Sequence, residues 1–175
     1  MKIRSAQGFT VIDLLFVCGI IGILSGMALP RLVSARNSAG AASAIASMRV
    51  INSSQLTFAI TCGNGFYAPN LTSLAKVPVG ANNAFISTDL GSADVVVKSG
   101  FTFQMSGTPF AGAPDTCNQI GAGAAAQAFK AGADPLDANM TRFFAINAMG
   151  TIYEDTSSLF ATMPEAALPA TGRPL

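Results

Sequence analysis

Twenty-one residues, Phe9 to Leu29, carry a single charge, the carboxylate of Asp13. As a helix that stretch covers about 32 Å, enough to cross the hydrocarbon core of a bilayer. A short basic leader, Met1-Lys-Ile-Arg-Ser-Ala-Gln-Gly8, stands immediately ahead of it. An ordinary secretory signal has its cleavage site after the apolar core. Here the cut suits Gly8/Phe9, before the core, so processing leaves the apolar segment on the mature protein. That order of parts argues for a membrane-stored subunit rather than a soluble secreted one.

The run Gly8-Phe9-Thr10-Val11-Ile12-Asp13-Leu14-Leu15 resembles the leader and methylation site of type IV pilins and type II secretion pseudopilins. The resemblance covers about the first thirty residues. It implies cleavage between Gly8 and Phe9 by an inner-membrane prepilin peptidase, followed by N-methylation of Phe9. The family usually has Glu at the fifth mature position. Asp13 keeps the charge and shortens the side chain by one methylene.

Asp13 has a physical argument of its own. A carboxylate deep in a membrane helix is disfavoured by roughly 2.5–3.5 kcal/mol on insertion scales, and such residues usually have a functional partner. The amine created at Phe9 has the opposite charge and the same depth. Residues four apart share a helix face, so Asp13 can meet its own Phe9 amine. Between neighbouring subunits the same pairing would set the axial register of a helical bundle. The alternative is a carboxylate near the interface that snorkels into headgroups.

Composition narrows the function classes. At 175 residues there is room for one domain; half the chain is apolar and 11% is charged. The low charged fraction argues against a nucleic-acid protein, which would show basic clustering. Removing Lys2 and Arg4 with the leader leaves eight cations against nine carboxylates, so the mature side chains sum to −1. No strong electrostatic partner is implied by that sum. Without histidine there is no Ser-His-Asp or Cys-His arrangement and no histidine-bearing zinc set. Gly121-Ala-Gly-Ala-Ala-Ala is glycine-rich but does not follow a strand in a βαβ unit. Asp134 with Asp137, and Glu154 with Asp155, lack calcium-loop spacing and read as solvated carboxylates. Neither a cofactor nor a metal is expected, and the chain does not read as an enzyme. Asn52-Ser-Ser, Asn70-Leu-Thr and Asn139-Met-Thr match a glycan acceptor pattern, mostly by chance in a bacterial host.

Arg31 and Arg36 follow the apolar span, while Lys2 and Arg4 precede it, so the positive-inside rule alone leaves orientation open. The resemblance implies a cytoplasmic leader and an outer C-terminal domain. Gly19, Gly22 and Gly26 allow close helix approach and lower helix stability. Pro30 removes a backbone donor and should kink or locally open the helix. Gly22, Gly26 and Pro30 are therefore candidates for a stretch that melts in a filament.

Beyond Pro30, Leu32, Ala35, Ala39, Ala42, Ile45 and Met48 recur at helical steps. Residues 31–60 read as the amphipathic second half of one long helix, about 75–80 Å if continuous from Phe9 to Ile60. Sustained heptads with charged flanks are missing, which argues against an isolated coiled coil. After Cys62 the texture becomes turn-rich. A short helix is expected over 71–76, and a mixed connection over 77–100 with a possible strand at 95–97. Phe101-Thr-Phe-Gln-Met-Ser alternates as a strand. A loop over 107–126 precedes strands near 127–131, 141–147 and 150–154, with a tight turn at Met149-Gly150. The tail from Phe160, carrying Pro164, Pro169 and Pro174, should be an irregular wrap.

The expected fold is therefore α+β, a long N-terminal helix packed on a small antiparallel sheet. The segments are 1–8 leader, 9–30 membrane or filament-core helix, 31–60 amphipathic half, and 61–175 globular domain. The resemblance implies the same order, and Thr141-Arg-Phe-Phe-Ala-Ile-Asn-Ala-Met-Gly-Thr-Ile-Tyr-Glu looks like the closing hairpin of pseudopilin-like proteins. Cys18 lies in the span and should pack as a small apolar residue. Cys62 and Cys117 both fall in turn-rich segments on the outer, oxidising side. Their pairing would tie the end of the long helix to the loop after the first strand.

Taken with the resemblance, this chain is expected to polymerise through its N-terminal helix into a type IV pilus or pilus-like filament. Phe9, Val11, Ile12, Leu14, Leu15 and Phe16 would form the buried core, with Asp13 guiding docking. Before assembly it would be a single-pass protein of the bacterial inner membrane; afterwards it would lie in an extracellular pilus or a periplasmic pseudopilus. Expected partners are further copies, the prepilin peptidase and an assembly machinery with its own motor, and no nucleic acid for a major subunit. The alternatives are a secretion pseudopilin, or a minor tip pilin that binds DNA, a surface or a secreted substrate.

Overall fold

The computed structural model describes residues 9–175; the leader and the predicted Gly8 cleavage position lie outside the described residues. The architecture is α+β: helix α1 (Val11–Thr61), short helices α2 (Leu71–Leu74) and α3 (Thr88–Gly91), and a six-stranded antiparallel sheet. The chain divides after Ala39 into two units.

Among the described residues of the first unit α1 is the sole regular element, and it is helical through Gly22, Gly26 and Pro30. The local opening expected at Pro30 is thus not seen, since the helix runs through it without a break; the stretch expected to melt concerns an assembled filament. Every described side chain from Phe9 to Arg36 is exposed. The helix is long and apolar enough to cross a membrane, and its most apolar window has no buried residue.

The second unit, Gly40–Leu175, is organised around the sheet. Strands β1 (Val95–Lys98), β2 (Phe101–Ser106), β3 (Lys130–Pro135), β4 (Phe143–Asn147), β5 (Ile152–Asp155) and β6 (Arg173–Pro174) pair in sequence order. Ser99 and Gly100 both have positive φ, 52° and 82°, which suits the two-residue turn joining β1 to β2. At Met149-Gly150 the Asn147 carbonyl accepts from the Gly150 amide at 2.9 Å, with Gly150 at φ 81°.

Alternation sorts the strands into two faces. Val96, Phe101, Phe103, Met105, Ala131, Ala133, Phe144, Ile146 and Ile152 form one buried cluster with Ala41, Ala44, Met48, Ile51 and Phe58 of α1. Burying a phenylalanine fully contributes about 1.5–3 kcal/mol, and Phe58, Phe101, Phe103, Phe129 and Phe144 are all fully buried. On the opposite face Leu159 and, from the tail, Met163 cluster with Ala145 and Tyr153. Asn147 fixes that tail by donating to the carbonyls of Pro164 and Ala167, at 2.9 and 2.6 Å.

Two expectations need correction. The strand expected near 127–131 is Lys130–Pro135 instead. It is central, flanked by β2 and β4, and tertiary pairing rather than its own composition makes it a strand. The tail is irregular for most of its length, but Arg173–Pro174 pairs with β5 as β6. The mixed connection also contains α3, begun by Ser87 in an extended conformation.

Candidate functional site

The candidate site is the start of α1, where the polar groups are few and close. Thr10 precedes the first helical residue. Its hydroxyl lies 3.3 Å from the Asp13 amide, which donates to it. In return, the Asp13 Oδ2 accepts from the Thr10 amide at 3.2 Å and from the Thr10 hydroxyl at 2.6 Å. This reciprocal pattern is a capping box, which satisfies two of the donors that a helix N-terminus leaves orphaned. The local sequence predicts it, because Thr10-Val-Ile-Asp13 followed by an apolar run is the Ser/Thr-x-x-Asp/Glu signature. Thr10 is the residue that the reading of Asp13 alone overlooked.

Around that box, Phe9, Val11, Ile12, Leu14, Leu15 and Phe16 are exposed, Phe9 to 85% and Phe16 to 71%. They form an apolar collar with a carboxylate at its centre. Phe9 belongs to the peptide chain here, so its nitrogen is an amide. The carboxylate has a helix-capping task that is independent of that amine. Gly19, Gly22 and Gly26 have open space where a Cβ would stand, and Cys18 is a free, exposed thiol.

Cys62 and Cys117 form the expected disulfide, with Cα atoms 4.9 Å apart. It joins the residue after α1 to the loop between β2 and β3. The Cys117 amide donates to the Cys62 carbonyl at 3.3 Å, which keeps the two segments side by side.

Among the described residues no three His, Cys, Asp or Glu side chains gather into a metal-binding group. Asp134 accepts from Ser158 at 2.6 Å, and Asp137 accepts from the amide and side chain of Asn139. Glu154 lies between two arginines: Arg142 at 2.5 Å and Arg173 at 3.4 Å. The Arg142 contact, with Arg173 behind it, holds the Glu154 carboxyl below its ordinary range. Asn70 caps α2 through the Ser73 amide, whereas Asn139 is exposed. Gly121 and Gly123 sit in the loop before β3 rather than between a strand and a helix.

Comparison with protein-family models, with curated proteins and with solved structures finds no match to this chain.

Proposed function

We propose that this chain is a structural subunit of a type IV pilus or pilus-like filament, built through the N-terminal part of α1. One observation carries the reading: an apolar helix with all of its described side chains exposed from Phe9 to Arg36 begins at a capped carboxylate, Asp13. Such a surface must be covered by lipid or by other helices. The disulfide-closed second unit fits a domain that works in an oxidising space.

Mechanistically, the membrane is the reservoir. Assembly exchanges lipid contacts for contacts among the Phe9–Phe16 collars of neighbouring copies. Cleavage after Gly8 would place an amine beside Asp13, and that pair would dock incoming subunits in register. Glycine and proline at Gly22, Gly26 and Pro30 would let the helix lengthen locally in the filament.

The test is intact mass and N-terminal sequencing of chains in sheared surface filaments, for the natural chain and for Asp13→Ala. The reading requires filaments that start at methylated Phe9 and an Asp13→Ala chain that inserts in membranes but is depleted from filaments. Processed chain found solely in membranes would favour a pseudopilin or minor pilin. A chain still starting at Met1 in both fractions would sink the reading.

A further inference from the structure

Charge is unevenly placed along this chain. Between Leu14 and Thr61, α1 carries Arg31, Arg36 and Arg49 and no carboxylate, a charge of +3. From Cys62 to Leu175, five cations stand against eight carboxylates, a charge of −3. A nearly neutral total therefore conceals two opposed parts. Among the described residues, the ion pairs are Lys98–Asp89, Arg142–Glu154 and Arg173–Glu154, all within the acidic part. The arginines of α1 take no part in them.

Arg49 stands in a defined surface of the second unit. On α1, Ala42, Ala46, Arg49, Ser53, Leu56 and Ile60 recur at steps of three and four residues and all are exposed, with exposed Val50 and Thr57 beside them. Val50 is 44%, Leu56 42% and Ile60 82% exposed. This is the side of the helix away from Ala41, Ala44, Met48, Ile51 and Phe58, which face the core. Exposed Val50, Leu56 and Ile60 beside an arginine suit a protein contact, where arginine is enriched.

Three exposed carboxylates of the acidic part lack a cation: Asp94, Asp115 and Asp137. Asp94 is engaged by Asn70 and Thr72, and Asp137 by Asn139. Asp115 uses its main-chain carbonyl to accept from Asn64, while its carboxylate accepts no hydrogen bond among the described residues.

We propose that the outer face of α1 from Ala42 to Ile60 seats a second copy of this chain, with Arg49 paired to Asp115 of that copy. The proposal rests on the filament reading and adds a specific contact to it. A two-fold pairing of this face with itself gives Arg49 another arginine rather than a carboxylate. A contact of Arg49 on Asp115 of another copy is heterologous, and heterologous contacts that do not close into a ring repeat into open filaments. Because both groups are exposed before contact, the pairing is sensitive to salt.

The test uses the full-length chain in its native host, carrying Arg49→Glu, Asp115→Arg or both. Filament-bound chain is measured against the membrane pool, with processing and the Cys62–Cys117 bond checked by intact mass. Each single reversal should lower filament-bound chain by about tenfold or more, and the double reversal should restore it to within about threefold. Arg49→Lys, which keeps the charge, should assemble normally. Single reversals that assemble at the natural level, or a double reversal no better than either single one with membrane pools and disulfide intact, would overturn the pairing. Loss of assembly in Asp13→Ala with Arg49→Glu unaffected would leave the filament reading standing and remove this contact. A natural chain missing from every filament fraction would remove both.

Discussion

Gln55 and Ala68 meet twice: the Gln55 Nε2 donates to the Ala68 carbonyl at 2.8 Å, and its Oε1 accepts from the Ala68 amide at 2.9 Å. Both residues are fully buried. A side chain of α1 thus supplies the backbone partners that a strand neighbour would otherwise give to the segment before α2. Gln55→Leu keeps the volume and orphans both groups of Ala68. Leaving buried polar groups unpaired costs about 1–3 kcal/mol each. The variant should lower stability by about 2–6 kcal/mol, read as an earlier urea midpoint of the detergent-solubilised chain. An unchanged midpoint would mean that water replaces the amide.

The Thr10–Asp13 box should be separable from the pairing of Asp13 with a new terminus. Thr10→Val removes the hydroxyl but keeps the shape. It should cost about 1 kcal/mol of local helix stability, seen as faster amide exchange at residues 11–14 in micelles. Thr10→Ser should restore protection. Filament incorporation should fall less than in Asp13→Ala, because the carboxylate remains.

Acid should loosen the C-terminal end of the sheet. Glu154 is held below its ordinary range, chiefly by Arg142 and further by Arg173. A depressed folded-state value means that the stabilisation is present above the unfolded carboxyl value and is lost as pH falls through the folded one. Glu154→Gln should therefore be less stable than the natural chain at neutral pH, and the gap should close on acidification. Urea midpoints of the two proteins across a pH series test the sign. A gap that widens in acid would refute it.

Removing the disulfide should be costly. Cys62 and Cys117 are 55 residues apart, and closing a loop of that length is worth about 4 kcal/mol in the chain-entropy account. The double Cys62→Ser, Cys117→Ser chain should lose roughly that amount, measured against the oxidised chain by denaturant unfolding. The reduced natural chain should behave like the double variant.

Large features were legible in the sequence where one force dominates. The alternation of Phe101–Ser106 reports burial directly. The apolar run from Phe9 and the period from Leu32 to Met48 report helix. The latter misjudges the packed face, since Leu32, Ala35, Ala39 and Ala42 are exposed and Ala41, Ala44, Met48, Ile51 and Phe58 face the core. β3 was misplaced because Lys130-Ala-Gly-Ala-Asp-Pro has little strand preference. Its small residues answer to their neighbours: Ala131 and Ala133 lie across from Met105 and Phe103. A Cβ on Gly132 would come 2.8 Å from that of Phe160. The strand exists because large side chains crowd both of its faces, which no local pattern announces. β6 likewise depends on distant partners, the Arg173–Glu154 contact and the Leu175 amide donating to Ile152. At the site, Asp13 was conspicuous as a lone charge. Thr10 was overlooked because its signal is the three-residue spacing to Asp13, not a contrast of its own with the apolar run.

The bond between Cys62 and Cys117 also changes what a protease can accomplish. Any single cut between Gly63 and Thr116, including the exposed stretch from Val79 to Asn83, leaves the two fragments covalently joined. The Gln55–Ala68 contact and the β1–β2 pairing would still hold the cut ends near their places. The chain can thus lose one peptide bond there and keep α1 covalently joined to the sheet.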